Sequence, residues 1–148
     1  MNFSKRSRYG LKALVDLAVN GQETCVQLSD IADRNDISVK YLEQIFTALR
    51  KAGVIKSIKG PQGGYLLADK PGKIRIADII LVLDGSYLLD AEEMVYGKSG
   101  EATAAAIQNT LIAPMNELVD RFLNQLTLQN LVESFEEYYG YNQDMYYI

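Results

Sequence analysis

Residues that suit contact with duplex DNA are concentrated between Ser38 and Tyr65. A helix that begins at Ser38 presents Lys40 and Gln44 near its N-terminal end, where lysine can pair with guanine and glutamine with adenine in the major groove. The glycines that follow let the backbone turn tightly and approach a duplex closely, and Lys59 beside them suits a narrow minor groove. The pattern predicts a recognition helix followed by a glycine-rich wing.

Contacts to phosphate need further cations, and the sequence supplies them before and after this helix. The alternative is that Lys40, Lys51 and Lys56 form an ordinary solvated face, and that Tyr41 and Tyr65 only pack. Helix, wing and local charge agree with one another, which favours the binding hypothesis. The residues predicted to contact DNA are Ser4, Lys5, Arg6, Arg8, Ser38, Val39, Lys40, Tyr41, Gln44, Arg50, Lys51, Lys56, Lys59, Gly60, Gln62, Gly63 and Tyr65.

The charge of the chain is divided along its length. Residues 1–75 carry 13 Lys and Arg against 7 Asp and Glu, a net charge of +6. Residues 76–148 carry 2 against 12, a net charge of −10, so the overall value of −4 conceals a basic N-terminal part. We expect only this basic part to meet phosphate and the acidic part to face away from it.

The chain has one cysteine, Cys25, and no histidine. One cysteine excludes an internal disulfide and any cluster held by three cysteines of a single chain. Without histidine the usual general base and the commonest zinc ligand are missing. The carboxylates at 92–93 and 136–137 are paired only in sequence, and neighbours on a helix do not face one another. We therefore predict that the chain is not an enzyme and has no cofactor. No apolar run approaches the roughly 18 residues of a membrane span, so we expect a soluble, cytoplasmic protein.

Apolar periodicity and helix-stop residues place the recognition helix within a larger helical domain. A glycine at the end of a helix suits the left-handed conformation, and a strand pair joined by a glycine loop reads as a hairpin. The predicted elements are a helix that stops near Asn20, a helix from Leu28 to Asn35, a helix from Ser38 to Gly53, a hairpin with strands near 54–58 and 65–67, and a short strand and helix within 74–85.

The C-terminal part has a different pattern. Ser86 to Gly100 has no clear period and is predicted to be a mobile loop. A long helix follows from near Glu101 to Gln125, and Pro114 must kink or split it because proline removes a backbone donor. Thr127 is expected to cap a last helix that precedes a tyrosine-rich tail. The predicted fold class is mainly α with a small β-hairpin, in which a long helix follows a winged helix-turn-helix domain.

Several short strings occur together in this order: Arg8–Leu11, Ile31–Ala32, Ile37–Ser38, Tyr41–Ile45, Leu49–Val54, Gly60–Leu67, Asp78–Ile80 and Asp84–Gly85. With them the chain resembles the bacterial winged-helix regulators of the IscR, NsrR and CymR family. The resemblance implies a homodimer, joined through the long C-terminal helix, that binds a pseudo-palindromic operator. It also implies a division into a DNA-binding domain at 1–85, a loop at 86–100, and a dimerisation helix with its tail at 101–148.

Many members of that family hold an iron–sulfur cluster with three cysteines in the segment that matches Ser86 to Ala106. This chain has no cysteine or histidine there, and it most resembles the cluster-free branch of CymR, the repressor of cysteine metabolism. We therefore predict a cluster-free repressor of cysteine and sulfur metabolism genes. The alternative is a cluster-free regulator of the same family that senses another small ligand or a redox signal, with the 86–100 loop as a lid.

The same resemblance implies a partner enzyme, O-acetylserine thiol-lyase (cysteine synthase). Serine acetyltransferase enters the active site of that enzyme with a C-terminal isoleucine carboxylate, so Tyr146, Tyr147 and Ile148 are the predicted partner-binding residues. The alternative is that the tyrosine tail packs on its own dimer. Cys25 has two alternatives as well: a small hydrophobe, or a reactive thiol at a helix N-terminus that is oxidised to sulfenic acid.

Overall fold

The structure is a computed structural model, and it describes residues 3–97 and 99–146. Its fold class is mainly α with a small antiparallel hairpin, as predicted. The elements, in chain order, are α1 (Lys5–Asn20), α2 (Leu28–Asn35), α3 (Val39–Lys51), β1 (Ile55–Ile58), β2 (Gly64–Leu67), a 3₁₀ turn (Pro71–Lys73), α4 (Ile76–Asp84), α5 (Gly100–Ile107), a π-helical segment (Gln108–Ile112), α6 (Ala113–Gln125) and α7 (Leu128–Tyr146).

The core of the N-terminal domain lies between α1, α3 and α4, which each bury one apolar face. Leu14, Phe46 and Ile79 are representative, since all three are fully buried. α1 and α4 cross closely at Gly10, where a β-carbon would lie 2.4 Å from a methyl carbon of Leu83. This dense packing gives the surface elements a rigid support.

A bidentate ion pair fastens α2 to α1. The Arg34 guanidinium donates to both carboxylate oxygens of Asp16, at 2.9 and 2.7 Å, and the Asn35 amide donates to the same carboxylate. The hydrogen bond with Asp16 raises the pKa of Arg34 above its ordinary value. The first helix of the helix-turn-helix pair is therefore held in a fixed orientation.

The hairpin pairs Ile55 with Leu67 and Ile58 with Gly64. Its second strand also pairs with the segment before α2, because Val26 and Tyr65 exchange backbone hydrogen bonds at 2.9 and 2.8 Å. At Gly64 a β-carbon would lie 2.5 Å from the Val26 carbonyl oxygen, so this crossing requires glycine. The predicted wing is confirmed, and it is attached to the domain on two sides.

α5, the π-helical segment and α6 form one continuous rod, which we call the rod (residues 100–125). Pro114 interrupts the α-helical pattern as predicted, but the chain stays helical. In the segment before it the hydrogen bonds span one residue more than in an α-helix, as from the Ala113 N–H to the Gln108 carbonyl. Pro114, which has no N–H to continue this pattern, lies at the junction of the π-helical segment and α6. The strand expected near Ile74 is only a single bridge between Arg75 and Thr127.

The segment 86–97, which we call the strap, has no helix or strand and lies along the rod. Tyr87 is buried in the core, and Leu89, Glu92 and Gly97 each donate a backbone N–H to a side chain of the rod. The prediction of a loop without regular structure agrees with this, but the prediction that it is mobile does not. Side-chain hydrogen bonds hold its backbone.

The last helix is longer than the sequence suggested. Thr127 caps it as predicted, since Thr127 and Asn130 exchange side-chain to backbone hydrogen bonds. The tyrosine-rich segment that was expected to follow this helix as a tail is helical instead, since α7 continues to Tyr146. Tyr147 and Ile148 lie outside the described residues. Among residues 3–97 and 99–146, no helix is long and apolar enough to cross a membrane.

Candidate nucleic-acid interface

The recognition helix α3 has one buried and one exposed face. The Ser38 hydroxyl caps it by accepting the Tyr41 N–H at 3.2 Å, which leaves the hydroxyl engaged with the protein. Leu42, Ile45, Phe46 and Leu49 are fully buried. The predicted base readers Lys40 and Gln44 are exposed on the opposite face, together with Val39. This arrangement leaves the first turns of α3 free to enter a groove.

The two tyrosines of the predicted contact set have packing roles. The Tyr41 ring meets the edge of the Tyr9 ring at a centroid distance of 5.8 Å. The Tyr65 ring meets Phe46 of α3 at 4.9 Å, so it fixes the wing to the recognition helix. Both residues are half-buried. Their rings orient neighbouring elements, which was the alternative left open by the sequence.

The wing carries exposed cations and a tight tip. Lys56 and Lys59 are exposed, as are Gly60 and Gln62 in the loop between the strands. Gly60 has φ of +112°, a conformation that L side chains rarely adopt. At Gly63 a β-carbon would lie 2.2 Å from the Ile58 carbonyl oxygen. The glycines therefore allow the tight turn at the tip. Lys59 lies exposed beside that turn, where it can contact phosphate or a minor groove.

Cations at the two ends of the domain complete the predicted set. Arg50 and Lys51 are exposed in the last turn of α3, where positive charge also suits the helix dipole. Lys5 is exposed in the first turn of α1. These side chains are accessible to phosphate.

Three other predicted contacts are already engaged or partly buried. The Ser4 hydroxyl accepts from the Ser7 N–H and donates to Asp84, so it ties α1 to α4. Arg8 donates to the Phe3 carbonyl at 3.2 Å and covers the Phe3 ring. Arg6 is half-buried, and its Nε has no hydrogen-bond partner among the described residues. Ser4 thus has a structural role in the free protein.

Lys12 is a cation that the sequence pattern alone did not indicate. Its ammonium lies 5.4 Å from the centroid of the Tyr9 ring, and that ring packs on Tyr41 at the start of α3. Lys12 is exposed and thus belongs to the cations near the recognition helix. Its spacing of three residues from Tyr9, on one face of α1, could have indicated this.

Cys25 lies against the wing. It is half-buried, it precedes the first residue of α2 by three positions, and its thiol donates to the Gln62 carbonyl at 3.1 Å. The expected position at a helix N-terminus is therefore wrong, because Gln27 is the N-cap. The thiol borders an open cleft of about 490 Å³ that is also lined by Arg34 and Pro61. The hydrogen bond of the Cys25 thiol therefore joins this residue to the wing loop.

An apolar stripe runs along the rod on the side open to solvent. Its members recur every three or four residues and are between 37% and 62% exposed. A contiguous row of this kind on one helix marks an interaction surface. We call this set the stripe: Ile107, Leu111, Met115, Leu118 and Phe122.

The described residues offer no ligand set for a metal. No group of three or more His, Cys, Asp or Glu side chains in residues 3–97 and 99–146 is placed to hold an ion. The single cysteine of the chain donates to a backbone carbonyl of the wing. These residues do not fit a cluster bound by several thiolates.

Comparison with known proteins gives a consistent match over most of the chain. The family model Rrf2, described as an iron-dependent transcriptional regulator, matches residues 3–134. The HTH-type transcriptional regulator IscR of Xenorhabdus nematophila is 37% identical over 137 residues, which cover 92% of this chain and 82% of that protein.

Two solved structures have the same architecture. CymR (YrzC), the global cysteine regulator of B. subtilis, superposes with a TM-score of 0.77 and 34% identity, over 90% of this chain and 98% of that one. The oxidised form of Staphylococcus aureus CymR superposes with a TM-score of 0.70 and 33% identity, over 90% of this chain and 97% of that one.

Proposed function

Since this chain belongs to the Rrf2 family of transcriptional regulators, we propose that it is a repressor that binds a pseudo-palindromic operator as a homodimer. One observation carries the proposal: α3 exposes Lys40 and Gln44 next to a wing that Tyr65 fixes to the same helix. Lys40 and Gln44 read base edges, while Arg50, Lys51, Lys56 and Lys59 neutralise phosphates.

Selection of bound duplexes from a random library tests this proposal. We expect a two-fold sequence with half-sites about 10 base pairs apart or a multiple of that spacing. Log affinity for the selected duplex should fall linearly with log salt concentration, with a slope of about −4 or steeper for four or more phosphate contacts per dimer. Failure to enrich any sequence would refute the proposal. An affinity for the enriched duplex that does not change with salt concentration would refute it as well.

The stripe supports the homodimer. Five half-exposed apolar side chains on one helix are removed from water when a second copy covers them. An isologous contact between two stripes relates the two recognition helices by a two-fold axis. This is the symmetry that a pseudo-palindromic operator requires.

We propose further that the regulator works without an iron–sulfur cluster and controls genes of cysteine and sulfur metabolism. Support for the first part is the absence of cysteine and histidine from 86–106, where the strap and α5 lie instead. Support for the second is similarity to CymR, which is described as a global cysteine regulator. Transcript profiling of a strain that lacks this gene tests the second part. Unchanged transcript levels of the genes of cysteine and sulfur metabolism would contradict it.

Tyr146, Tyr147 and Ile148 are proposed to bind O-acetylserine thiol-lyase. α7 carries exposed Tyr138, Tyr141 and Met145 towards its end, so this part of the helix is open to a partner. Aromatic and aliphatic side chains suit an apolar pocket of such a partner. Titration calorimetry with the enzyme should show no binding signal when Tyr147 and Ile148 are deleted.

A matched variant sharpens that test. Ile148→Ala keeps both tyrosines and shortens only the last side chain of the set. If the Ile148 side chain is recognised, this variant binds as weakly as the deletion. Equal affinity of the unmodified chain and the deletion would contradict the partner proposal. Weaker self-association of the deletion would favour packing of the tail on its own dimer.

Cys25 is proposed to make operator binding sensitive to oxidants. A peroxide transfers one oxygen atom to the thiolate, which gives sulfenic acid and releases water or an alcohol. Conversion of the S–H group to S–OH removes the hydrogen bond that the sulfur donates to the Gln62 carbonyl at 3.1 Å, and so changes a contact that holds the wing loop. We expect peroxide to release the wild-type protein from its operator and a thiol reductant to restore binding. Equal release of a Cys25→Ser variant would contradict a redox role.

A further inference from the structure

Polar side chains of the rod hold the strap by its backbone. The Asn116 side chain accepts from the Leu89 N–H at 2.7 Å and donates to the Leu89 carbonyl at 3.0 Å. The Gln108 side chain accepts from the Glu92 N–H, also at 2.7 Å. Because these bonds engage backbone groups, the path of the strap is fixed independently of its own exposed side chains.

The strap is also anchored in the core of the DNA-binding domain. Tyr87 is 6% exposed, and its hydroxyl donates to Asp120 at 2.5 Å. The Asn124 amide donates to the same hydroxyl at 3.3 Å. One tyrosine is thus part of the core cluster and bonded to α6 at the same time. Tyr87 thus joins the domain to the last two turns of the rod, and Asn116 holds the strap about one turn further from that end.

A second attachment lies where the rod ends. The Ile76 N–H donates to the Leu126 carbonyl at 2.9 Å, and the Leu128 N–H donates to the Ile74 carbonyl at 2.8 Å. Asn116 precedes Leu126 by ten residues, or about 15 Å along a helix. These two attachments, with the packing of Val119 and Leu123 on the core between them, define the direction of the rod.

We infer that Tyr87 and Asn116 are positioning residues that set the spacing between the two DNA half-sites. The inference rests on the proposed function, in which each rod carries the dimer contact and each domain reads one half-site. A tilt of about 6° at Leu126 moves the centre of the stripe at Met115, about 17 Å away, by about 1.7 Å, and two-fold symmetry doubles this to about 3.4 Å. That displacement is about the rise of one base pair.

The test measures preference for operator spacing in the full-length dimer. Operators carry the selected spacing, one base pair more, or one base pair fewer, and a single half-site is measured beside them. The variants are Asn116→Ala and Tyr87→Phe, with Asn109→Ala as the control because Asn109 is exposed on the same rod. We expect wild type and control to bind the selected spacing about tenfold or more tightly than the other two spacings. In Asn116→Ala and Tyr87→Phe, which we call the strap variants because each removes a hydrogen bond between strap and rod, this ratio of affinities should fall by about tenfold.

Affinity for the single half-site should stay unchanged in both strap variants, since neither residue is placed on the DNA-binding face. Tyr87→Phe keeps the buried ring and removes only the hydroxyl, so it tests the inference even where Asn116→Ala does not fold. An unchanged spacing preference in a folded, dimeric Tyr87→Phe protein overturns the inference. An equal loss of affinity on all four duplexes also overturns it, because that indicates general destabilisation. If the wild type binds none of them, the proposed function fails first, and this inference fails with it.

Discussion

Truncation of Phe122 to alanine should weaken the dimer by a calculable amount. Phe122 is 61% exposed in the single chain, so more than half of its side chain remains to be covered by a partner. Full burial of a phenylalanine side chain contributes about 2.5 kcal/mol, so the uncovered part contributes about 1.5 kcal/mol. The substitution removes this contribution from both copies, about 3 kcal/mol together, which raises the dimer dissociation constant about 150-fold.

Sedimentation equilibrium across a dilution series measures this constant directly. Ile58→Ala is the matched control, because Ile58 is also an exposed apolar residue (44%) but lies in the wing. Its dimer constant should equal that of the wild type. A change of less than about threefold in Phe122→Ala would refute the assignment of the stripe to the dimer contact. Operator affinity should fall in parallel for Phe122→Ala, since two linked half-site contacts become independent.

Three further outcomes are expected. Gly64→Ala should lower the free energy of unfolding by about 1–3 kcal/mol in chemical denaturation, because its methyl group meets the Val26 carbonyl. Gly72→Ala is the control and should not lower it, since its methyl group would make only an ordinary contact with the Gln129 β-carbon at 3.9 Å. Lys59→Ala should reduce the salt slope of operator affinity by about 1 for each phosphate that Lys59 neutralises in the wild-type complex. Burial and the neighbouring Asp120 carboxylate raise the pKa of Tyr87 above its ordinary value. The stability that its neutral hydroxyl contributes is therefore complete below pH 10 and is lost as the pH rises through the folded-state pKa. In unfolding measured against pH, Tyr87→Phe should remove this loss of stability at alkaline pH.

The N-terminal domain is predictable from its sequence because its boundaries are local. Ser38 caps α3 through a hydrogen bond three residues away, and Gly53 supplies the left-handed residue after it. The limits predicted for the second helix, Leu28 and Asn35, are confirmed by the structure. The wing follows from two short apolar segments on either side of a glycine loop. Each of these features depends on neighbours along the chain.

The strap was not predictable in the same way. The bonds of Asn116 to Leu89 and of Asp120 to Tyr87 join residues 27 and 33 positions apart, and no local pattern indicates such pairs. The length of α7 was underestimated because tyrosine is a mediocre helix former and its exposed positions show no apolar stripe. The roles of Tyr41 and Tyr65 depend on which ring each one meets across the fold. Tertiary contacts decide all of these.

The π-helical segment determines the rotational phase of the rod. A π-helical residue turns the chain by less than the roughly 100° of an α-helical residue, so the five residues of 108–112 turn through about the same angle as four α-helical residues. Removal of one residue within this segment would let the rest become α-helical and leave α6 in nearly the same phase relative to α5. Leu118 would stay in line with Ile107, and Asn116 would still face the strap. A one-residue deletion within α6 has no such compensation, and it would rotate the parts of the stripe before and after it by about 100° relative to one another.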